Sequence, residues 1–138
     1  MKVVGFDHVV VNSTDIERSI RWYCDELGLE PVRAEEWRRG EVLFPSARVN
    51  AGTIIDLFPA ERTGENVNHF CLVIEPTDLT ALAERFPGAR LAEGLFGAQG
   101  FATSIYVQDP DGNTVELRCY GSADAAEPRR AQRGSHVE

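Results

Sequence analysis

Phe6-Asp7-His8-Val9-Val10-Val11, near the start of the chain, returns in altered form as Val67-Asn68-His69-Phe70-Cys71-Leu72. Each run sets one histidine in an apolar stretch, and His8 and His69 lie 61 positions apart. An acidic, helix-like opening follows each run, Thr14-Asp15-Ile16 and then Thr77-Asp78-Leu79. Further on, Ile54-Ile55-Asp56-Leu57-Phe58 and Thr114-Val115-Glu116-Leu117-Arg118 each place one acid inside an apolar strand, 60 positions apart. A repeat of this period dictates architecture before any single residue does. It predicts a single domain over 1–120 built from two modules, about 1–60 and 66–120, followed by a disordered tail over 121–138.

The elements follow from local signals. Lys2 to Val11 reads as a strand with Phe6, His8 and Val10 on one face. Thr14 is the expected N-cap of a helix, with Glu17 three residues on, and Ile16, Ile20, Tyr23 and Leu27 form its apolar stripe. Gly28 is placed to end it. Leu29 to Arg33 reads as a short strand and Ala34 to Gly40 as a charged loop. Val42 to Val49 is a strand that Pro45 confines to an edge or bulge, and Thr53 to Phe58 is strongly β. Ala60 to Asn66 is a polar linker.

In the second module Asn68 to Glu75 is a strand. Asp78 to Phe86 is a short helix capped by Thr77 and stopped by Pro87-Gly88. Gly94 to Gly100 reads as a mobile glycine-rich loop without the GK[ST] of a phosphate loop. Strands Ser104–Gln108 and Thr114–Tyr120 flank the turn Asp109-Pro110-Asp111-Gly112-Asn113. The expected fold is α+β: tandem βαβββ modules forming an open, cup-like mixed β-sheet barrel with helices outside.

Composition narrows the function. The 138 residues are 43% hydrophobic, enough for a real core, and the formal charge of −8 disfavours nucleic acid as a partner. No run of roughly 20 apolar residues offers a membrane span, and no signal peptide is expected. Three scattered cysteines, Cys24, Cys71 and Cys119, argue against a disulfide framework and for a reducing cytoplasm. Cys71 shares a strand face with His69 but reads better as packing. His136, in the tail, is not counted as a ligand. A small molecule is the expected partner.

Two histidines and two carboxylates in repeat-equivalent places are a residue set suited to a divalent cation. A lone strand histidine is more often a hydrogen-bonded core residue. A carboxylate inside a strand needs a partner. Arg118 shares a face with Glu116 and is placed to steer an anion, with a solvent-facing rim arginine as the alternative. Arg48, Trp37, Phe44 and Tyr106 are candidates to line a cavity, with core packing the alternative for the aromatics.

Together these features resemble the vicinal oxygen chelate superfamily, which includes glyoxalase I, extradiol dioxygenases and bleomycin-binding proteins. The likeness is carried by Phe6–Val11, Ser19-Ile20-Arg21-Trp22-Tyr23 and Leu27-Gly28-Leu29, and more specifically by Ile105–Leu117 with its Asp-Pro-Asp-Gly-Asn turn. It covers residues 3 to 120. It implies metal ligands at His8, His69 and Glu116. Asp56 stands where glyoxalase-like members carry a glutamate, one methylene longer, so whether it is a fourth ligand stays open. The metal would be Fe, Mn, Ni or Zn. The resemblance further implies bidentate chelation of a small molecule, in a reaction of lyase, isomerase, transferase or dioxygenase type. Glu116 and Asp56 would be the catalytic carboxylates, and the protein a homodimer. The alternatives are a metal-free, antibiotic-sequestering resistance protein and a scaffold with no current substrate.

Overall fold

The computed structural model describes residue 2 and residues 4–65, 67–97 and 99–120. The expected tail, with His136, lies outside the described residues. The chain divides into two compact units. The first extends to Glu65 and also takes in Asp109–Asn113, and the second holds the other described residues.

Both units have the same topology. In the first, β1 (His8–Ser13), β2 (Glu30–Val32), β3 (Ser46–Asn50) and β4 (Thr53–Pro59) form a sheet of order β1-β4-β3-β2. In the second, β5 (Phe70–Ile74), β6 (Arg90–Gly97), β7 (Gly100–Gln108) and β8 (Thr114–Cys119) form β5-β8-β7-β6. The first strand of each sheet runs parallel to the fourth and the other pairings are antiparallel. This is the tandem βαβββ arrangement that the repeat predicts, with two unclosed mixed sheets and few helices. No helix among the described residues is long and apolar enough to cross a membrane.

Alternation decides which side chains face the helix. Val11, Ser13, Ala47, Ile55 and Leu57 are buried on one face of the first sheet. There α1 (Ile16–Ile20) and the π-helical turn Arg21–Glu26 bring Ile16, Ile20 and Tyr23 to the core. Ser13 and Ser19 share a hydrogen bond of 2.6 Å. Burying each such aliphatic side chain contributes about 1.5–3 kcal/mol. His8, Val10 and Asp56 point to the other face, because Val10 pairs directly with Asp56 and His8 lies two residues earlier on the same strand. In the second sheet Ile105, Val107, Val115, Leu117 and Cys119 form the apolar face, and α3 (Leu79–Ala83) packs against β6 and β7.

Several expected boundaries shift, each for a physical reason. None of the described residues before His8 is in a strand; β1 begins where parallel pairing to β4 begins. The N-cap is Asp15, not Thr14: its carboxylate accepts from Arg18 N at 3.0 Å. Thr14 instead gives its hydroxyl to Asp111 at 2.6 Å. Glu17 does not close a capping box; it forms a two-point ion pair with Arg38, which holds its carboxyl below the usual value. Likewise Asp78, not Thr77, caps α3.

Ala34–Arg38, expected as a loop, is the helix α2, with Ala34 buried and Arg38 bonded to both Glu17 and Glu35. β3 starts only after Pro45, whose carbonyl accepts from Leu57 N at 3.0 Å. The glycine-rich stretch, expected as a loop, is largely strand: Gly94 to Gly97 is the last half of β6 and Gly100 opens β7. Gly28 does end its helix in the left-handed region, at φ 77°.

The Asp109–Asn113 turn is organised by one carboxylate. Asp109 Oδ1 accepts from the amides of Asp111 and Asn113, at 2.9 and 2.7 Å, and Oδ2 accepts from Asn113 Nδ2 and from the Tyr23 hydroxyl. Asp111 in turn accepts from the amide and hydroxyl of Thr14 and pairs with Arg18. The motif therefore fastens the turn to the start of α1. Burial, then the Asp109 carboxylate, pushes the Tyr23 phenol well above its usual value, so it remains a neutral donor.

Candidate functional site

Each unit turns one histidine toward one buried acid. In the second unit His69 stands just before β5, and Glu116, fully buried, lies on β8 opposite Cys71. Asn68 Oδ1 lies 2.7 Å from His69 Nδ1. An amide oxygen only accepts, so the ring proton belongs on Nδ1. Nε2 then presents its lone pair 3.2 Å from Glu116 Oε1. The other carboxylate oxygen accepts from the Ser104 hydroxyl at 2.6 Å and from Arg118 Nη2 at 3.0 Å.

The first unit repeats the plan with different spacing. Asp7 Oδ2 lies 2.7 Å from His8 Nδ1, so Nε2 faces Asp56 Oδ2, at 3.9 Å. Asp56 is buried, and its other oxygen accepts from the Ser46 hydroxyl at 2.6 Å. The bond to Asp7, with help from the charge of Asp56, raises the His8 pKa above its ordinary 6.5.

Each imidazole–carboxylate pair, taken by itself, has donor chemistry that suits a divalent cation. Histidines that hold metals donate their second ring N–H to a carboxylate or carbonyl oxygen, which fixes tautomer and orientation; Asp7 and Asn68 supply that oxygen here. Two donors each about 2.1 Å from one ion and 3.2 Å apart subtend roughly 100°, ordinary for neighbouring ligands. At 3.9 Å the His8–Asp56 pair would subtend roughly 135° at the same bond length. The shorter aspartate thus leaves a wider gap than the glutamate does. Among the described residues no three His, Cys, Asp or Glu side chains gather as a metal group; each unit by itself holds one imidazole–carboxylate pair.

The remaining predicted site residues are placed as follows. Arg118, expected to steer an anion, is buried; besides Glu116 it donates to the carbonyls of Leu95, Phe96 and Gly100. Arg48 donates to the carbonyls of Asn50 and Ala51. Phe44 packs on Phe58, with ring centroids 5.8 Å apart, and lies under the Arg33 guanidinium. Tyr106 meets the His69 ring edge-on at 5.4 Å and carries the Arg90 guanidinium 5.0 Å from its own centroid.

Four positioning residues were not anticipated: Asp7, Asn68, Ser46 and Ser104. The first two left a readable signal, since an acceptor side chain precedes each histidine. The serines are polar residues on the acid-bearing face of strands whose opposite face is apolar. That alternation marks them as something other than core.

Comparison with known proteins agrees with this fold. The family model described as Glyoxalase/Bleomycin resistance protein/Dioxygenase superfamily matches residues 5–117. Virulence protein STM3117 of Salmonella typhimurium is 29% identical over 126 residues, spanning 87% of this chain and 87% of that protein. A probable lactoylglutathione lyase of Synechocystis is 28% identical over 122 residues, spanning 80% and 91%. Among solved structures, an integron cassette protein from the mobile metagenome of V. Pseudocholerae superposes with a TM-score of 0.63 at 28% identity, covering 88% of this chain and 98% of its own.

Proposed function

Since the chain belongs to the Glyoxalase/Bleomycin resistance protein/Dioxygenase superfamily, we propose that it is a divalent-metal-dependent enzyme. Its substrate is a small molecule that presents two adjacent oxygens. The ligands are His8, His69 and Glu116, and Asp56 is the group that handles the proton. The bound metal supplies Lewis acidity to the substrate oxygens. The observation that carries this reading is the opposition of His69 Nε2 and Glu116 Oε1 at 3.2 Å, two electron-pair donors held face to face by their own hydrogen-bond partners.

The chain's own residues divide the work. Asn68 and Asp7 orient the imidazoles. Ser104 and Arg118 fix Glu116 in its ligand role. Asp56 has a less constrained surrounding: one serine donor and an imidazole at 3.9 Å. A carboxylate so placed can accept a proton from a carbon or hydroxyl next to the chelated oxygens and return it. The relatives include both a probable lactoylglutathione lyase and a catechol-2,3-dioxygenase, so the proton-transfer reading rests on the surroundings of Asp56.

A thermal-shift screen tests the proposal. Chelator-treated protein is offered Fe²⁺, Mn²⁺, Ni²⁺ or Zn²⁺, alone and with α-hydroxycarbonyl, thiol-conjugated or catecholic compounds. The expected result is stabilisation by an ion and a further gain from one compound class that requires the ion. Stabilisation by a compound with no ion effect would replace the enzyme with a metal-free binding protein.

A further inference from the structure

We propose that Arg118 is a positioning residue that sets the orientation of Glu116, and that Gly97 is the position that makes room for it. The inference rests on the metal reading only for calling Glu116 a ligand. Alternation along β8 puts residues 116 and 118 on one face, and Ser104 pairs directly with Arg118 across β7. Three donors converge on a single oxygen, Oε2 of Glu116: Ser104 Oγ at 2.6 Å, Arg118 Nη2 at 3.0 Å and Arg118 Nε at 3.3 Å. Holding Oε2 in this way turns Oε1 toward His69.

The other side of the guanidinium is gripped by the β6–β7 hairpin. Nη1 donates to the carbonyls of Leu95 and Gly100 and to the Tyr120 hydroxyl, and Nη2 to the carbonyl of Phe96. A Cβ added at Gly97 would fall 2.6 Å from Arg118 Cζ and 2.7 Å from the Tyr120 hydroxyl. Only the absence of a side chain at 97 lets the guanidinium occupy this place.

The first unit serves as an internal comparison. Ser46 pairs directly with Asp56 there, and the position two residues beyond the acid is Phe58, packed on Phe44. Among the described residues this acid has its serine but no guanidinium, and the imidazole stands 3.9 Å away rather than 3.2 Å. Arginine's planar fork suits this duty, where a lysine would act as a point charge.

The test uses the full chain with chelator removed, and two readouts. Imidazole nitrogen resonances of His69 report the Glu116 contact without any metal, and those of His8, which faces Asp56, serve as the control. Cobalt(II) titration, read by absorption, reports affinity. Gly97→Ala keeps every ligand. It is expected to shift the His69 Nε2 resonance, leave that of His8 in place, and weaken Co²⁺ binding by about 10–100-fold. Arg118→Lys should shift the same resonance less than Arg118→Met/Glu116→Gln, which removes both charges and gives a folded reference.

His69 at its wild-type position in both Gly97→Ala and Arg118→Lys overturns the proposal. If Gly97→Ala does not fold, the His69 resonance in Arg118→Lys alone decides. Wild-type protein that ignores Co²⁺ contradicts the metal reading, and the His69 resonance still decides the role of Arg118.

Discussion

Glu116 Oε1 and His69 Nε2 stand 3.2 Å apart, and neither atom brings a proton to the other when the ring proton is on Nδ1. Such an approach between two acceptors is stabilised by a cation or a shared proton. The arrangement is held from behind on both sides, by Asn68 on the imidazole and by Ser104 and Arg118 on the carboxylate.

The ion pair with Arg118 makes Glu116 a stability residue as well as a proposed ligand. Glu116→Gln leaves the buried Arg118 charge without its carboxylate, and breaking one side of a buried pair costs about 3–5 kcal/mol. Urea unfolding of the chelator-treated protein should show that loss. Arg118→Met/Glu116→Gln should recover much of it, because no uncompensated charge remains. A single variant as stable as the parent would show that the pair is not held as described.

The two acids should differ as ligands. Asp56→Asn is expected to weaken divalent binding by no more than about tenfold. Glu116→Gln should weaken it by more than about a hundredfold. Titration calorimetry with Mn²⁺ on the two variants separates them, and equal losses would restore Asp56 to full ligand status.

His8 supplies a pH signature. Its pKa is raised in the folded chain, first by the bond to Asp7 and then by the charge of Asp56. The folded state therefore holds the proton more tightly than the unfolded state. The stabilisation from His8 is fully present below pH 6.5, the ordinary value, and is lost as pH rises through the raised value. Urea midpoints of chelator-treated wild type and His8→Asn, measured across this range, should converge on the alkaline side. Divergence with rising pH would reverse the sign.

Tyr23→Phe tests the role of the Asp109 turn. The phenol donates to a buried carboxylate at 2.9 Å. Losing a hydrogen bond to a charged group costs about 1.5–3 kcal/mol. Thermal unfolding should register that loss while Mn²⁺ affinity stays at the parental value, since Tyr23 lies on the helix-covered side of the first sheet. A drop in affinity would tie the turn to the site.

Much of this was legible because repetition and alternation survive in one dimension. The spacing of His8 with His69, and of Asp56 with Glu116, pointed to the paired βαβββ topology and put the two acids in equivalent places of the two modules. What stayed hidden depends on the third dimension. Gly94–Gly100 read as a loop because glycine weakens strands, yet Gly97 is small to admit Arg118. Ala34–Arg38 read as a loop because Glu35, Glu36 and Arg38 show no apolar stripe; only the reach of Arg38 to Glu17 explains α2. Thr14 and Asp15 are both good caps, and the choice falls to Asp111, far along the chain, which engages Thr14. Arg118 reads in sequence as an anion-steering or rim arginine, because nothing in a strand sequence says that three carbonyls wait behind it.

The central proposal is that this protein holds a divalent ion through His8, His69 and Glu116. Calorimetric titration of Co²⁺ into chelator-stripped wild type, His8→Ala and His69→Ala tests it most directly. The account predicts one ion per chain for the wild type and loss of that binding in both variants, each still folded. A stripped wild-type protein that takes up no ion, or a His69→Ala variant that binds as tightly as its parent, would contradict it.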